Sequence, residues 1–471
     1  MLFNSLTFLV FFAVVLTLHR VLPGAALKKW LLLAASYVFY AAWNPPYVLI
    51  LWFSTALDWF LARCIFRSAH PRRRRWLLLL SLTSNLGLLG FFKYGQFLQA
   101  NAAHLLALAG IAWEPPTWNL LLPIGISFYT FASLSYTIDV YRGRIRGDWR
   151  LLDYALFVSF FPHLVAGPIV RAAQLLPQIA APRLATRDEL GWGLALTIIG
   201  LAFKCVLADS IFAPVVDAVY ASPASCSALD AWGAVLAFSG QIYFDFSGYS
   251  LCAIGLALCF GVAFPDNFRC PYAAIGFSDF WRRWHISLSS WLRDYVYVPL
   301  GGNRKGTRRT YVNLILTMLI GGLWHGAAWK FVIWGGLHGA YLAAERFWRH
   351  GSSPPTAQPR VTTVSLALLT FLVVSLTWVP FRASDTANGI ELLRALADPS
   401  RPRALPLSQL AICALAIGIM LRAQFVLRDG SLDAAFAARG NTARIAMLAV
   451  CLIALFLCSG GDGRAFIYFQ F

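Results

Sequence analysis

Apolar runs recur from one end of the chain to the other. They lie near residues 2–18, 30–43, 46–66, 76–92, 97–112, 118–138, 151–169, 191–208, 231–263, 311–323, 326–345, 361–380, 407–427 and 444–459. Short polar, basic or Gly/Pro-containing segments separate them. A helix needs about 20 residues to cross a bilayer. Several runs are shorter, and others carry Gly or Pro. The pattern therefore predicts an all-α polytopic membrane protein with roughly 10–13 crossings, some of them half-helices or re-entrant segments. No hydrophilic block is long enough for a separate soluble domain, so residues 1–471 read as one integral-membrane domain. The first run, Leu2 to Leu18, has no basic segment before it and no clear small-residue cleavage site, so it reads as a retained span.

Composition agrees. The chain is 59% hydrophobic and 13% charged, with mean hydropathy +0.64. Net charge is +18, from 39 Lys+Arg against 21 Asp+Glu. In this setting the excess does not point to nucleic acid, because the basic residues cluster in short loops between apolar runs. Lys28 and Lys29 follow the first run, Arg67 and Arg72–Arg75 the third, and Arg142, Arg144, Arg146 and Arg150 the sixth. The Asn44-Pro45-Pro46 turn is uncharged. The bias places the three basic loops in the cytoplasm and the N-terminus outside it. The nine cysteines show neither CxxC pairs nor metal-ligand spacing, and read as small buried hydrophobes.

One stretch departs from the pattern. Residues 264–310 are rich in Arg, Asp, Trp, Tyr and Pro and contain no spanning run. Trp281, Trp284, His285, Leu288, Trp291, Leu292 and Tyr295 recur at helical spacing, with Ser278 as a candidate cap. This predicts an amphipathic helix lying at or dipping into the membrane, with His285 on its apolar face. The Pro299–Gly306 loop that follows is turn-rich and basic. It reads as a solvated loop or as a docking point for an anionic cofactor, and it is not a Walker motif.

Ionisable groups in apolar runs are costly and mark functional sites by default. His325 lies in Gly321-Gly322-Leu323-Trp324-His325-Gly326-Ala327-Ala328-Trp329. It reads either as a core histidine satisfied by a carbonyl or as a general base. The glycines would let a thin substrate approach the backbone. Trp329 falls on the same helical face if the helix is continuous, which makes it an aromatic wall. On the same assumption His338 faces away and is structural. His163 sits in an apolar run broken by Pro162 and Pro168 and reads as a packed or capping histidine. His19, His70, His104 and His350 lie near expected interfaces. Asp245, in the polar Gln241–Tyr249 stretch, needs a partner: an arginine in a structural ion pair, or a histidine that it orients. The residues alone leave two classes open, group transfer and proton-coupled transport.

Three runs carry a resemblance: Phe280–Tyr295, Pro299–Arg304 and Gly321–Trp329. Together with Phe161–Ile169, Gln241–Tyr249 and the terminal Phe466–Phe471, they resemble the membrane-bound O-acyltransferase superfamily, in its bacterial alginate O-acetyltransferase branch. The resemblance implies a ring of tilted helices around a thin centre with a tunnel. It implies that His325 is the presumed catalytic residue and His285 the second signature position. His325 would act as general base and later protonate the leaving thiolate. His285 would polarise the reacting carbonyl or position the acceptor. Trp324, Trp329 and Asp245 are expected at the tunnel, with no metal and no bound cofactor. The implied donor is acetyl-CoA. The implied setting is the bacterial inner membrane, with a periplasmic partner protein and an exported polysaccharide as final acceptor. Cellulose, peptidoglycan or D-alanyl transfer to teichoic acid are the alternative acceptor chemistries. Ala132 stands where the alginate branch commonly has Gln, a departure that bears on acceptor or partner and not on the chemistry.

Overall fold

The computed structural model describes residues 1–116, 121–349, 360–458 and 466, and among them every regular element is helical. The chain divides into two compact units: Met1–Leu196 with Ala253–Pro265, and Thr197–Cys252 with Asp266–Phe471. Among the described residues seven helices are long and apolar enough to cross a membrane: Tyr47–Arg67, Pro71–Leu108, Arg187–Ala221, Ala228–Cys259, Val361–Arg382, Leu407–Val426 and Asn441–Cys458. Leu6–Val21 is a shorter apolar helix. This is an all-α, multi-pass membrane protein.

Two expected spans merge. The runs at 76–92 and 97–112 form one 38-residue helix, Pro71–Leu108. No proline or charge cluster separates them, so the ladder widens through Gly90–Tyr94 with π-type bonds and continues. The run at 191–208 likewise extends to Arg187–Ala221, with a π segment at Ala202–Phe212. Conversely, the run at 151–169 breaks as its prolines predict. Its helix ends at Ser159, and Phe161–Leu164 makes a separate turn.

In the first unit, the basic segments that the sequence assigned to one side meet. Arg74 Nη2 donates to the Tyr141 carbonyl at 2.7 Å. Lys29, which lies within the Ala25–Ala41 helix and not in a loop, pairs with Asp153 at 2.6 Å. A cavity of about 420 Å³ is lined by Lys29, Arg146, Asp148, Trp149, Arg150, Asp153 and Ala180. Deeper in this unit is a buried carboxylate that sequence reading did not single out. Asp58 is fully buried and accepts from Ser81 Oγ at 2.6 Å and from Asn85 Nδ2 at 2.9 and 2.7 Å, one for each of its oxygens.

In the second unit, Thr307–His325 and Trp329–Trp348 form an antiparallel pair that packs backbone to backbone. A Cβ on Gly322 would lie 2.2 Å from the Phe331 carbonyl oxygen, and one on Gly335 would lie 2.4 Å from that of Met318. Small residues at such crossings are what allow close helix approach in a membrane protein. The glycines beside His325 therefore serve helix packing. The space expected for a thin substrate at Gly322 is taken by the partner helix. Around this pair lies an aromatic core that includes the fully buried Trp284 and Trp334, with Trp378 nearly so.

Candidate active site

The amphipathic helix expected over 279–295 is broken at its centre. Phe277–Arg283 and Ile286–Leu292 are separate helices, and His285 stands between them with φ +42°. Left-handed backbone costs a non-glycine residue about 1–2 kcal/mol, so something must hold it there. The cap also differs from expectation. Ser278 does not cap the first helix. Instead the Phe277 and Ser278 N–H groups donate to the Glu345 carboxylate at 2.7 and 2.9 Å, where a negative charge suits a helix start.

Asn267 holds the break. Its backbone carbonyl accepts from the Ile286 N–H at 2.9 Å, immediately after His285. Its side-chain Oδ1 accepts from Ser287 Oγ at 2.8 Å and from the Ser287 N–H at 3.3 Å, and lies 3.1 Å from His285 Nδ1. Its Nδ2 donates to Ser250 Oγ at 3.0 Å. His285 is fully buried, as its apolar face predicted, and desolvation lowers its pKa from the usual 6.5. Phe246 meets its ring edge-on, with centroids 4.5 Å apart.

Trp324 connects the two histidines. Its ring lies 5.8 Å from that of His285 and 5.0 Å from that of His325. His325 is the last residue of its helix and is 3% exposed. Trp334 at 5.0 Å and Phe381 at 5.4 Å complete an aromatic cage, each meeting the imidazole edge-on. The buried Trp334 indole N–H has no acceptor among the described residues. A histidine in such a cage is shielded from bulk water, which strengthens any electrostatic contact it makes with a substrate.

Trp329, expected at the tunnel with Asp245, does not join this cage. Trp329 starts the next helix after a break at Gly326–Ala328, and it is 58% exposed. It does not share a helical face with His325. The helix ends where Gly326 turns to extended backbone, φ −167° and ψ 154°, and only glycine fits there, because a Cβ would lie 2.1 Å from the Phe331 ring. Asp245 pairs with Lys204, not with an arginine. Lys204 also lies 3.0 Å from Asp209, five residues on, a spacing that its π-helical segment brings onto one face.

His338 is closer to the site than the opposite face of a continuous helix would put it, because the helix breaks between His325 and Trp329. Trp334 stands between them and meets each ring edge-on, 5.0 Å from His325 and 4.8 Å from His338. Yet His338 is occupied. Trp281 Nε1 donates to its Nδ1 at 3.3 Å, so Nε2 carries the proton and donates to Thr377 Oγ1 at 3.1 Å. In the first unit His163 donates from Nε2 to the Phe157 carbonyl at 3.0 Å, the packed role read from sequence. His350 and residues 467–471 of the terminal motif lie outside the described residues. Sequence reading missed Asn267, Ser287, Trp334 and Phe381. For Asn267 the one available signal is an amide side chain in an irregular stretch directly after a long apolar helix.

A family model described as MBOAT, membrane-bound O-acyltransferase family, matches residues 35–379. The chain belongs to the membrane-bound O-acyltransferase family. It is 41% identical over 429 residues to a probable alginate O-acetylase, AlgI, of Pseudomonas aeruginosa, covering 91% of this chain and 81% of that protein. It is 38% identical over 398 residues to a peptidoglycan O-acetyltransferase of Helicobacter pylori, covering 78% and 73%. Similarity to a teichoic acid D-alanyltransferase of Bacillus subtilis is 28% over 272 residues, covering 54% and 67%. The chain is thus a membrane-bound O-acyltransferase, which decides between the two classes in favour of group transfer over proton-coupled transport. His285, Trp324 and His325 all fall inside the matched span.

Proposed function

We propose that this enzyme moves acetyl groups from a cytoplasmic donor to an exported polysaccharide across the bacterial inner membrane. Alginate or a similar exopolysaccharide is the substrate class that the 41% identity to an alginate O-acetylase favours. The observation that carries the chemistry is the pair of buried histidines flanking Trp324. His325 and His285 supply acid–base function to an acyl transfer: one proton leaves the attacking hydroxyl and one reaches the departing thiolate. Trp324, Trp334 and Phe381 keep water away.

The donor in this reading is acetyl-CoA. Its anionic groups suit the basic side of the protein, where Lys29, Arg146 and Arg150 line one cavity. The N-terminus lies in the periplasm, and the Arg72–Arg75 segment in the cytoplasm. A periplasmic partner protein takes the acetyl group from this enzyme and passes it to the polymer. The meeting of Arg74 with Tyr141, and of Lys29 with Asp153, supports placing these basic segments on one side.

The test is His325→Ala in a producing strain. Acetyl content of the exported polymer should fall to background while an immunoblot finds normal protein in the membrane. Normal acetylation would end the assignment. Membrane-impermeant thiol labelling of Arg73→Cys, on a background without native cysteines, should fail in intact cells and succeed after lysis.

A further inference from the structure

The hydrogen bonds around Asn267 determine which nitrogen of His285 carries its proton. The Ser287 backbone N–H can only donate, and it faces one end of the Asn267 amide at 3.3 Å. That end is therefore the oxygen, which leaves Nδ2 at the other end to donate to the Ser250 hydroxyl. His285 Nδ1 faces the same oxygen at 3.1 Å. An amide oxygen accepts only, so Nδ1 is protonated. In the neutral ring Nε2 then holds a lone pair. Nε2 is buried, and among the described residues it has no hydrogen-bond partner.

We infer that Asn267 is a positioning residue that fixes His285 as the Nδ1–H tautomer, so that His285 Nε2 meets the substrate with a lone pair and not with an N–H. This rests on the acyl-transfer reading above and goes further than it. A lone pair cannot polarise a carbonyl, so of the two roles open to His285 only the one toward the acceptor is compatible with its hydrogen bonds. His325, across Trp324, keeps its acid–base role toward the attacking hydroxyl and the departing thiolate.

The second support is the backbone. Asn267 ties down the two residues that follow the ring: its carbonyl holds Ile286, and its side chain holds Ser287. The left-handed His285 is thereby fixed in the orientation that leaves Nε2 uncovered. The other groups packed on the imidazole are Phe246, Phe268, Trp324 and the Ser287 hydroxyl, 3.5 Å from Nδ1, none of which titrates near neutral pH.

Two measurements test this. The first is solid-state NMR of the full-length protein in bilayers with ¹⁵N-labelled histidine, taking the signal that disappears in His285→Ala. The expected signal has a protonated Nδ1 and a bare Nε2. A protonated Nε2 with a bare Nδ1 would overturn the inference and leave the acyltransferase reading standing. The second is transfer of radiolabelled acetyl from acetyl-CoA into base-labile product, in membrane vesicles carrying the native acceptor, normalised to enzyme. Asn267→Ala should lower kcat about a hundredfold, with KM for acetyl-CoA unchanged. Asn267→Asp offers a carboxylate to the same donors, and the Ser250 hydroxyl can turn to donate to it. It should restore most of the rate and move the acidic limb of the pH profile up by about one unit, because the added charge favours the imidazolium. Wild-type rate and profile in both variants would refute the positioning role. Full activity of His285→Ala would instead refute the acyltransferase assignment of this site.

Discussion

His285 and His338 are the same side chain at the same depth. Both are fully buried in one unit among tryptophans. They differ in how far the surrounding protein satisfies them. His338 is held at both ring nitrogens, by Trp281 and Thr377. His285 is held at one, by Asn267, and its other nitrogen meets no protein partner among the described residues. Leaving a buried acceptor unmet costs about 1–3 kcal/mol. His285 carries that cost on top of a left-handed backbone. Such costs persist where a second molecule supplies the missing bond. Burial alone therefore does not separate these two histidines; the unmet hydrogen bond does.

The sharpest way to break this comparison is to remove only the unmet nitrogen. His285→Asn keeps a donor near the Nδ1 position and tolerates left-handed backbone. It should accumulate normally yet lose about a hundredfold in acetyl transfer per molecule. Loss of protein in step with loss of transfer would mean that His285 is structural too.

The Lys204–Asp245 pair stands on the closed side of the comparison. Lys204→Met leaves a buried carboxylate without its cation and should cost about 3–5 kcal/mol. Thermal unfolding in detergent would register it, with transfer per surviving molecule little changed. Gly322→Ala drives a methyl group into the Phe331 carbonyl and should destabilise by about 1–3 kcal/mol. If it instead lowered only KM or kcat at unchanged thermal stability, the glycine would face substrate after all. The smallest effect is expected for Thr377→Val, which removes one partner from His338 at about 1–3 kcal/mol or less. It should leave transfer per molecule unchanged.

Much of this was legible in the sequence because apolar runs and charged loops report directly on membrane burial. The all-α class, the break near Pro162 and the burial of His285 and His325 follow from local pattern. What was not legible depends on residues far apart. The spacing of Trp281, Trp284 and Leu288 runs straight through His285, while the bend there is imposed by Asn267, 18 residues earlier. The face shared by His325 and Trp329 assumed a continuous helix, and extended backbone at Gly326 and Ala328 ends it. The cost of burying Asp245 announced a partner without saying which. Lys204 answers it from 41 residues away, inside a π-helical segment that no periodicity foretold. The merging of 76–92 with 97–112 reflects the weak punctuation of glycine in a membrane helix, where other interactions keep the ladder intact.

The most direct test of the central claim sets the two histidines against each other. His285→Ala and His338→Ala are expressed in the same strain, and acetyl transfer is measured per unit of enzyme in the membrane. Transfer by His285→Ala should fall about a hundredfold at near-normal protein level. His338→Ala should lose protein and retain transfer per molecule within severalfold of wild type. A His338→Ala enzyme more impaired per molecule than His285→Ala would contradict the claim that the unsatisfied ring, and not the satisfied one, belongs to the active site.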